Sequence, residues 1–317
     1  MLAPMVRQLL QRARFLEPGE IPYRVRQQWV RASDRWWRPP HTPAGPSPRW
    51  PDRPAGELDL LGSGLDPRTA WAATRLQTAS PADAAGWLAR NPPGHGIGWA
   101  SAMEVALRAV SVVRLATEAP GPGWLPALHA HAAWLARHPS RGTSANNHRV
   151  AELAALAFVA RVAPDLPGAR RWEAEARREL PETLRAQLHR DGSGVEQSTH
   201  YLAYDLEWAA LARAAGVPDL DEPIGRAARF LAALADRSGW VTSLGDDDGG
   251  IVLAGGEDSV RSVLGACGVA MPGYRPDARA TLLAPTAAAP WVHQLLASPS
   301  PRGRRVALLV ALDRVDP

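Results

Sequence analysis

From about Pro67 onward the chain alternates Ala- and Leu-rich stretches with Pro/Gly breaks, and that alternation restricts the fold more than any other feature. The stretches Pro67–Thr78, Pro81–Arg90, Gly98–Thr117, Leu125–His138, Asn146–Val162, Ala169–His189, Thr199–Gly216 and Asp221–Ser238 read as helices of roughly three to five turns. Sustained strand alternation is missing, so the body is expected to be all-α. A run of antiparallel helical hairpins closes either as a solenoid or as a toroid. No fixed repeat consensus is present, which favours the toroid. At 317 residues the chain can bury a large core.

The polar clusters fall where loops run into these helices. Ser144-Ala145-Asn146-Asn147-His148-Arg149 precedes a small apolar run, with Asn146 or Ser144 available to cap the helix and a dipole that favours an anion. Asp191-Gly192-Ser193-Gly194-Val195-Glu196-Gln197-Ser198-Thr199-His200-Tyr201 is a second junction. There Ser198 or Thr199 is the cap and Tyr201 sits in the first turn, where a phenol that shuttles a proton would be favoured. Tyr201, Tyr204 and Trp208 also share helical spacing and fit a core stripe. A third junction carries Trp99, Glu104 and Arg108, the last two one turn apart and able to pair. If alternate junctions face one rim, Asn147, His148, Glu196 and Tyr201 converge there.

All 36 basic residues are arginines and the net charge is +4, a balance compatible with acidic polymers. No basic run or motif points to nucleic acid. Thirteen tryptophans against three phenylalanines supply indole faces suited to sugar rings as well as to cores. Cys267 is alone, so no intrachain disulfide forms. His148 with Glu152, and Glu196 with His200, are one-turn pairs without a third ligand, so no metal and no cofactor are expected. Met1 to Leu16 lacks a secretory h-region and no run is long enough to span a bilayer, which gives a soluble, cytoplasmic expectation. Arg14 to Trp37, with Ile21, Tyr23, Val25, Trp29 and Trp36, reads as an amphipathic helix, followed by a proline-rich arm from Pro39 to Pro54.

Read together, "NP…G.GW.S.MEVALRA" from Asn91, "SANNHRVAE" from Ser144, "DGSGVEQSTHYLAY" from Asp191 and "LGDDDGG" from Leu244 resemble the N-terminal toroid of the heparinase II/III-like polysaccharide lyases. "EIPYRVRQ" at Glu20 to Gln27 is similar to the start of that family, so the resemblance runs from about Glu20 to Gly250. It implies β-elimination on a uronate-containing acidic polysaccharide. In that scheme Asn147 binds the uronate carboxylate with His148 beside it, and Tyr201 is the catalytic phenol. Asn146, Arg149, Glu196, His200, Trp99, Glu104 and Arg108 line or brace the cleft.

The same resemblance implies a β-sandwich across the cleft. After Gly250 the sequence offers only Val252–Leu253, a helix-like Asp258–Cys267, a Pro/Ala loop with His293 in a short helix-like piece, and a strand-like Arg305–Leu312. The expected organisation is 1–56 for the N-terminal helices and arm, 57–250 for the toroid and 251–317 for a short extension, with a separate β-sandwich chain as a possible partner. Weak, salt-sensitive binding of acidic polysaccharide with little or no elimination follows for this chain alone. The alternatives are a toroid hydrolase drawing on Glu104, Asp191, Glu196 or Asp246, and a non-catalytic carbohydrate-binding toroid. Asp246, Asp247 and Asp248 read either as an ion site or as a charged turn.

Overall fold

The computed structural model describes parts of 23–37, residues 71–253 except 73, 122, 143 and 144, then 260–272 and 275. The proline-rich arm, His293 and the strand-like 305–312 lie outside the described residues, as does the start of the expected 67–78 helix. In order, the elements are α1 (Pro81–Arg90), a 3-10 turn (Ile97–Trp99), α2 (Ala102–Glu118), α3 (Trp124–Arg137), α4 (Asn146–Val162), α5 (Ala169–Ala186), α6 (Thr199–Ala214), α7 (Asp221–Ala233) and α8 (Val260–Ala266). Among the described residues there is no strand, only isolated bridges at Leu188–Gly194 and Ala235–Val241. Over the described residues the fold is an incomplete (α/α) toroid.

Its layering follows from side-chain pattern. Helix α4 buries nearly every residue from Asn147 to Ala160, and the alanines among them let neighbouring backbones approach. Helix α5 buries Ala169, Trp172, Ala176, Leu180 and Leu184 only, a stripe three to four residues apart, while its arginines and glutamates face out. α2, α4 and α6 therefore form the inner row, each followed by a hairpin partner, α3, α5 and α7. Truncating Leu180 or Leu184, both without exposure, would cost about 2–5 kcal/mol.

Packing continues past Gly250. Val252, Val260, Val263 and Leu264 join the same core, and α8 rests on α6 and α7. The N-terminal residues behave differently from expectation. Tyr23, Val25, Arg26, Trp29, Val30, Ser33 and Asp34 are helical, but Val25 and Trp29 are exposed, and Val30 and Asp34 are the buried positions. Anchoring here is partly polar and partly aromatic: Tyr23 donates to the Pro139 carbonyl at 2.8 Å, Asp34 pairs with Arg137 at 3.0 Å, and Trp37 packs edge-on to Trp134 at 5.4 Å. No helix among the described residues is long and apolar enough to cross a membrane.

Candidate functional site

A cavity of about 770 Å³ opens where the starts of α4 and α6, the loop before α2 and the 247–250 segment meet. Asn146, Asn147, His148, Glu196, His200 and Tyr201 all border it, as do Trp99 and Glu104. Six residues drawn from two junctions about fifty positions apart thus border one cavity.

The α4 start is built differently from the sequence expectation. Its cap position is Ala145, which offers no side-chain acceptor. Instead Glu196 reaches across from the turn before α6, and its Oε1 accepts from the Asn147 backbone N–H at 3.2 Å. A carboxylate at this end is stabilised by the helix dipole. Burial pushes the Glu196 carboxyl above its ordinary range, opposed by that hydrogen bond. Burial likewise lowers the His148 imidazole below its ordinary value, with the Glu104 charge opposing. His148 therefore rests neutral near pH 7, able to accept a proton or hydrogen bond.

At α6, Ser198 does cap the helix, accepting from Tyr201 N–H at 3.1 Å. The Tyr201 hydroxyl donates to Asp248 Oδ2 at 2.7 Å, and His200 Nε2 lies 3.4 Å from Asp247 Oδ2. The acidic turn is thus occupied with side chains of α6. Among the described residues no cluster of three or more His, Cys, Asp or Glu is arranged to hold a metal.

Glu104 and Arg108 are both buried, but they do not pair with each other through a hydrogen bond. Glu104 takes a bidentate contact from Arg75, at 2.7 and 2.9 Å. Arg108 fills its fork elsewhere: Nε donates to His131 Nε2 at 2.9 Å, Nη2 to the Gly98 carbonyl at 2.6 Å and Nη1 to the Thr74 carbonyl at 3.2 Å. Its guanidinium also stacks 4.6 Å from the Trp87 ring and 5.0 Å from Trp99. Because His131 Nε2 accepts, its proton sits on Nδ1, which faces the Ala127 carbonyl at 2.7 Å. Burial, reinforced by the Arg108 charge, holds that imidazole down at about 3. Arg108 acts behind the wall, fixing the Gly96–Trp99 turn.

Two further expectations change. Arg149 does not border the cavity; it turns to Glu175 at 2.7 Å, Glu179 at 2.6 Å and Glu152 at 3.4 Å, tying α4 to α5. Trp99 is only 3% exposed, with His131 and Trp134 rings 4.7 and 5.8 Å away, so its faces are not open platforms. Arg75, Tyr204, Trp134, His138 and Asp248 also line the cavity and were not identified as site residues from sequence. Asp248 was visible in the acidic run. Arg75 carries no local pattern that would have marked it.

Residues 122–232 match the family described as Heparinase II/III N-terminus. Asn147, His148, Glu196 and Tyr201 fall inside that range; Arg75, Glu104 and Asp248 fall outside it. A solved structure, "Crystal Structure of Heparinase III", aligns with 53% of this chain at 21% identity and a TM-score of 0.44, and the aligned part spans 28% of that chain. No curated protein matches. The matched segment, which carries both the α4 and α6 junctions, is similar to the heparinase II/III N-terminal domain.

Proposed function

We propose that the cavity binds a uronate of an acidic polysaccharide and supports β-elimination of the glycosidic bond beside its carboxylate. The observation that carries this reading is the meeting of Asn147, His148, Glu196 and Tyr201 on one wall, within the segment that matches the heparinase II/III N-terminal family. Elimination requires loss of the proton beside the carboxylate, which is slow unless the developing enolate-like charge is stabilised. In this reading the Asn147 side-chain amide receives the carboxylate, neutral His148 beside it accepts the proton, and the Tyr201 phenol protonates the leaving oxygen. Asn146 and His200 contact the sugar at the rim, and Glu104, Arg108 and Glu196 hold the wall in shape. Arg149 serves the helix and not the ligand. A β-sandwich chain as the opposite wall is part of the same proposal.

The hydrolase alternative has less support. Asp191 is fully exposed and occupied with Ser193, and neither it nor Asp246 borders the cavity. That leaves Glu104, already paired with Arg75, and Glu196, already capping α4.

The test compares uronate oligomers with neutral oligomers of equal length. Asn147→Ala is expected to weaken the acidic ligands about tenfold or more, as for a hydrogen bond to a charged group, and the neutral ones far less. Elimination is followed by the ultraviolet absorbance of the unsaturated product. Equal losses for both ligand sets would overturn carboxylate recognition, and new reducing ends without absorbance would favour hydrolysis.

A further inference from the structure

The segment after the 235–241 bridge runs along α6 as a strap, meeting it at successive points from Ser198 and Thr199 to Glu207. Thr199 N–H donates to the Leu244 carbonyl at 3.0 Å, and Leu244 N–H donates back to Thr199 Oγ1 at 3.1 Å. Ser198 Oγ donates to the Asp246 carbonyl at 2.5 Å. Asp247 then faces His200, Asp248 faces Tyr201, and Gly250 lies against the Tyr204 ring. Further along, the Glu207 carboxylate accepts from Val252 N–H at 2.9 Å and Leu253 N–H at 3.0 Å, and Gln77 holds the Ile251 carbonyl at 2.6 Å. The register is fixed at its start by Gly245, at φ +72°: a Cβ there would sit 2.4 Å from the Gln197 carbonyl oxygen. A strap fastened at both ends puts the Asp248 carboxylate at one place relative to the phenol.

We propose that Asp248 is a positioning residue for Tyr201: its carboxylate takes the phenol's hydrogen bond, aims the ring into the cavity and keeps the proton on oxygen, so that Tyr201 enters the reaction as donor and not as base. This rests on the elimination reading above. The Tyr201 O–H turns from Asp248 to the leaving glycosidic oxygen and breaks as a new O–H bond forms there. The bond from that oxygen to the sugar carbon cleaves, and the electron pair of the C–H bond beside the carboxylate becomes the new double bond. The carbon-bound proton passes to neutral His148, and exchange with water restores both side chains. The charged and titratable groups that border the cavity with Tyr201 include Asp247 and Asp248 from the strap, His200 and Tyr204 on its own helix, His148 of α4, Glu196 from the preceding turn, and Glu104 with Arg75. Arg75 also feels the Asp248 charge.

The experiment titrates the phenol directly. Phenolate absorbance is recorded against pH for the intact chain, with Tyr201→Phe subtracted to isolate one of four tyrosines. Asp248→Asn keeps a polar side chain of the same shape at an exposed position and removes only the charge. The Tyr201 titration is expected to move to lower pH in Asp248→Asn and to stay nearer its place in Asp247→Asn, whose carboxylate faces His200. In the elimination assay the alkaline limb of the pH profile should move down with it, because a proton donor is lost once it ionises. An unmoved Tyr201 titration overturns the role of Asp248. A moved titration with the acid limb, and not the alkaline limb, shifted would make Tyr201 the base and overturn the donor assignment. A moved titration with no preference of the wild-type chain for uronate over neutral oligomers leaves the Asp248–Tyr201 coupling standing and rejects the uronate reading of the cavity.

Discussion

Helices α4 and α6 both present their N-termini to the cavity, yet they are started by different means. At α6 the extended residue Ser198 precedes the helix and caps it within the same turn. At α4 the preceding Ala145 is itself helical in backbone and offers nothing. There the free N–H of Asn147 is met by Glu196, forty-nine positions later. The loop ahead of α4 is held by Glu152 reaching back to Ser140, at 2.9 Å to its N–H and 2.6 Å to its hydroxyl, and the helix is tied outward by Arg149. The α6 end has a local cap, to which the 244–248 strap is then fastened. The α4 end takes even its cap from another junction and its outward ties from α5, so the carboxylate-binding half of the site leans more on distant segments than the phenol-bearing half does.

The largest effect should come from the locally built end. Tyr201→Phe is expected to lower the rate of double-bond formation by about 10²- to 10⁴-fold, the usual range for a positioned proton donor, while uronate binding stays in place. A variant that binds and eliminates like the wild type would remove the phenol from the mechanism.

Next comes the assembled end. Arg149→Ala leaves Glu152, Glu175 and Glu179 without their shared partner and should destabilise the fold by about 3 kcal/mol, read from denaturant unfolding. Since Arg149 stands outside the cavity, uronate affinity per folded molecule should hardly change. A selective loss of binding at full stability would return this arginine to the ligand.

A pH dependence separates the two ends further. Burial pushes the Glu152 carboxyl from its ordinary 4.5 up to about 7, against the pull of Ser140 and Arg149. The folded chain then holds that proton more tightly than the unfolded chain. This group's contribution to stability falls as pH rises from about 4.5 to about 7 and is level above that window. Glu152→Gln should flatten that fall when unfolding is measured across the window. An unchanged slope would mean that Glu152 is charged throughout.

The smallest effect belongs to the local cap. Ser198→Ala removes the acceptor for Tyr201 N–H and the donor to the Asp246 carbonyl, and should cost about 1 kcal/mol of stability. Its consequence for turnover should exceed its consequence for stability, because the same hydroxyl fastens the strap that carries Asp248. Equal, small losses in both would detach the strap from the chemistry.

Local pattern determined the helices and much of the site's membership. The bounds of α4 are those expected from Asn146 to Val162, since a polar cluster followed by an unbroken apolar run is a signal contained within its own few turns. Ser198 as a cap, and Asn147, His148, Glu196 and Tyr201 as neighbours, were legible for related reasons: caps are local, and junctions of successive hairpins share a rim. What only the tertiary structure decided was who pairs with whom. Glu104 chose Arg75 over Arg108, because Arg108 sits among Trp87, Trp99, His131 and two backbone carbonyls that satisfy its fork. Arg149 turned outward to α5 although it follows His148 directly, because successive helical residues point about 100° apart. Sequence spacing fixes which side of one helix a residue occupies. The partner is set by which other helix arrives there, and no sequence window contains both.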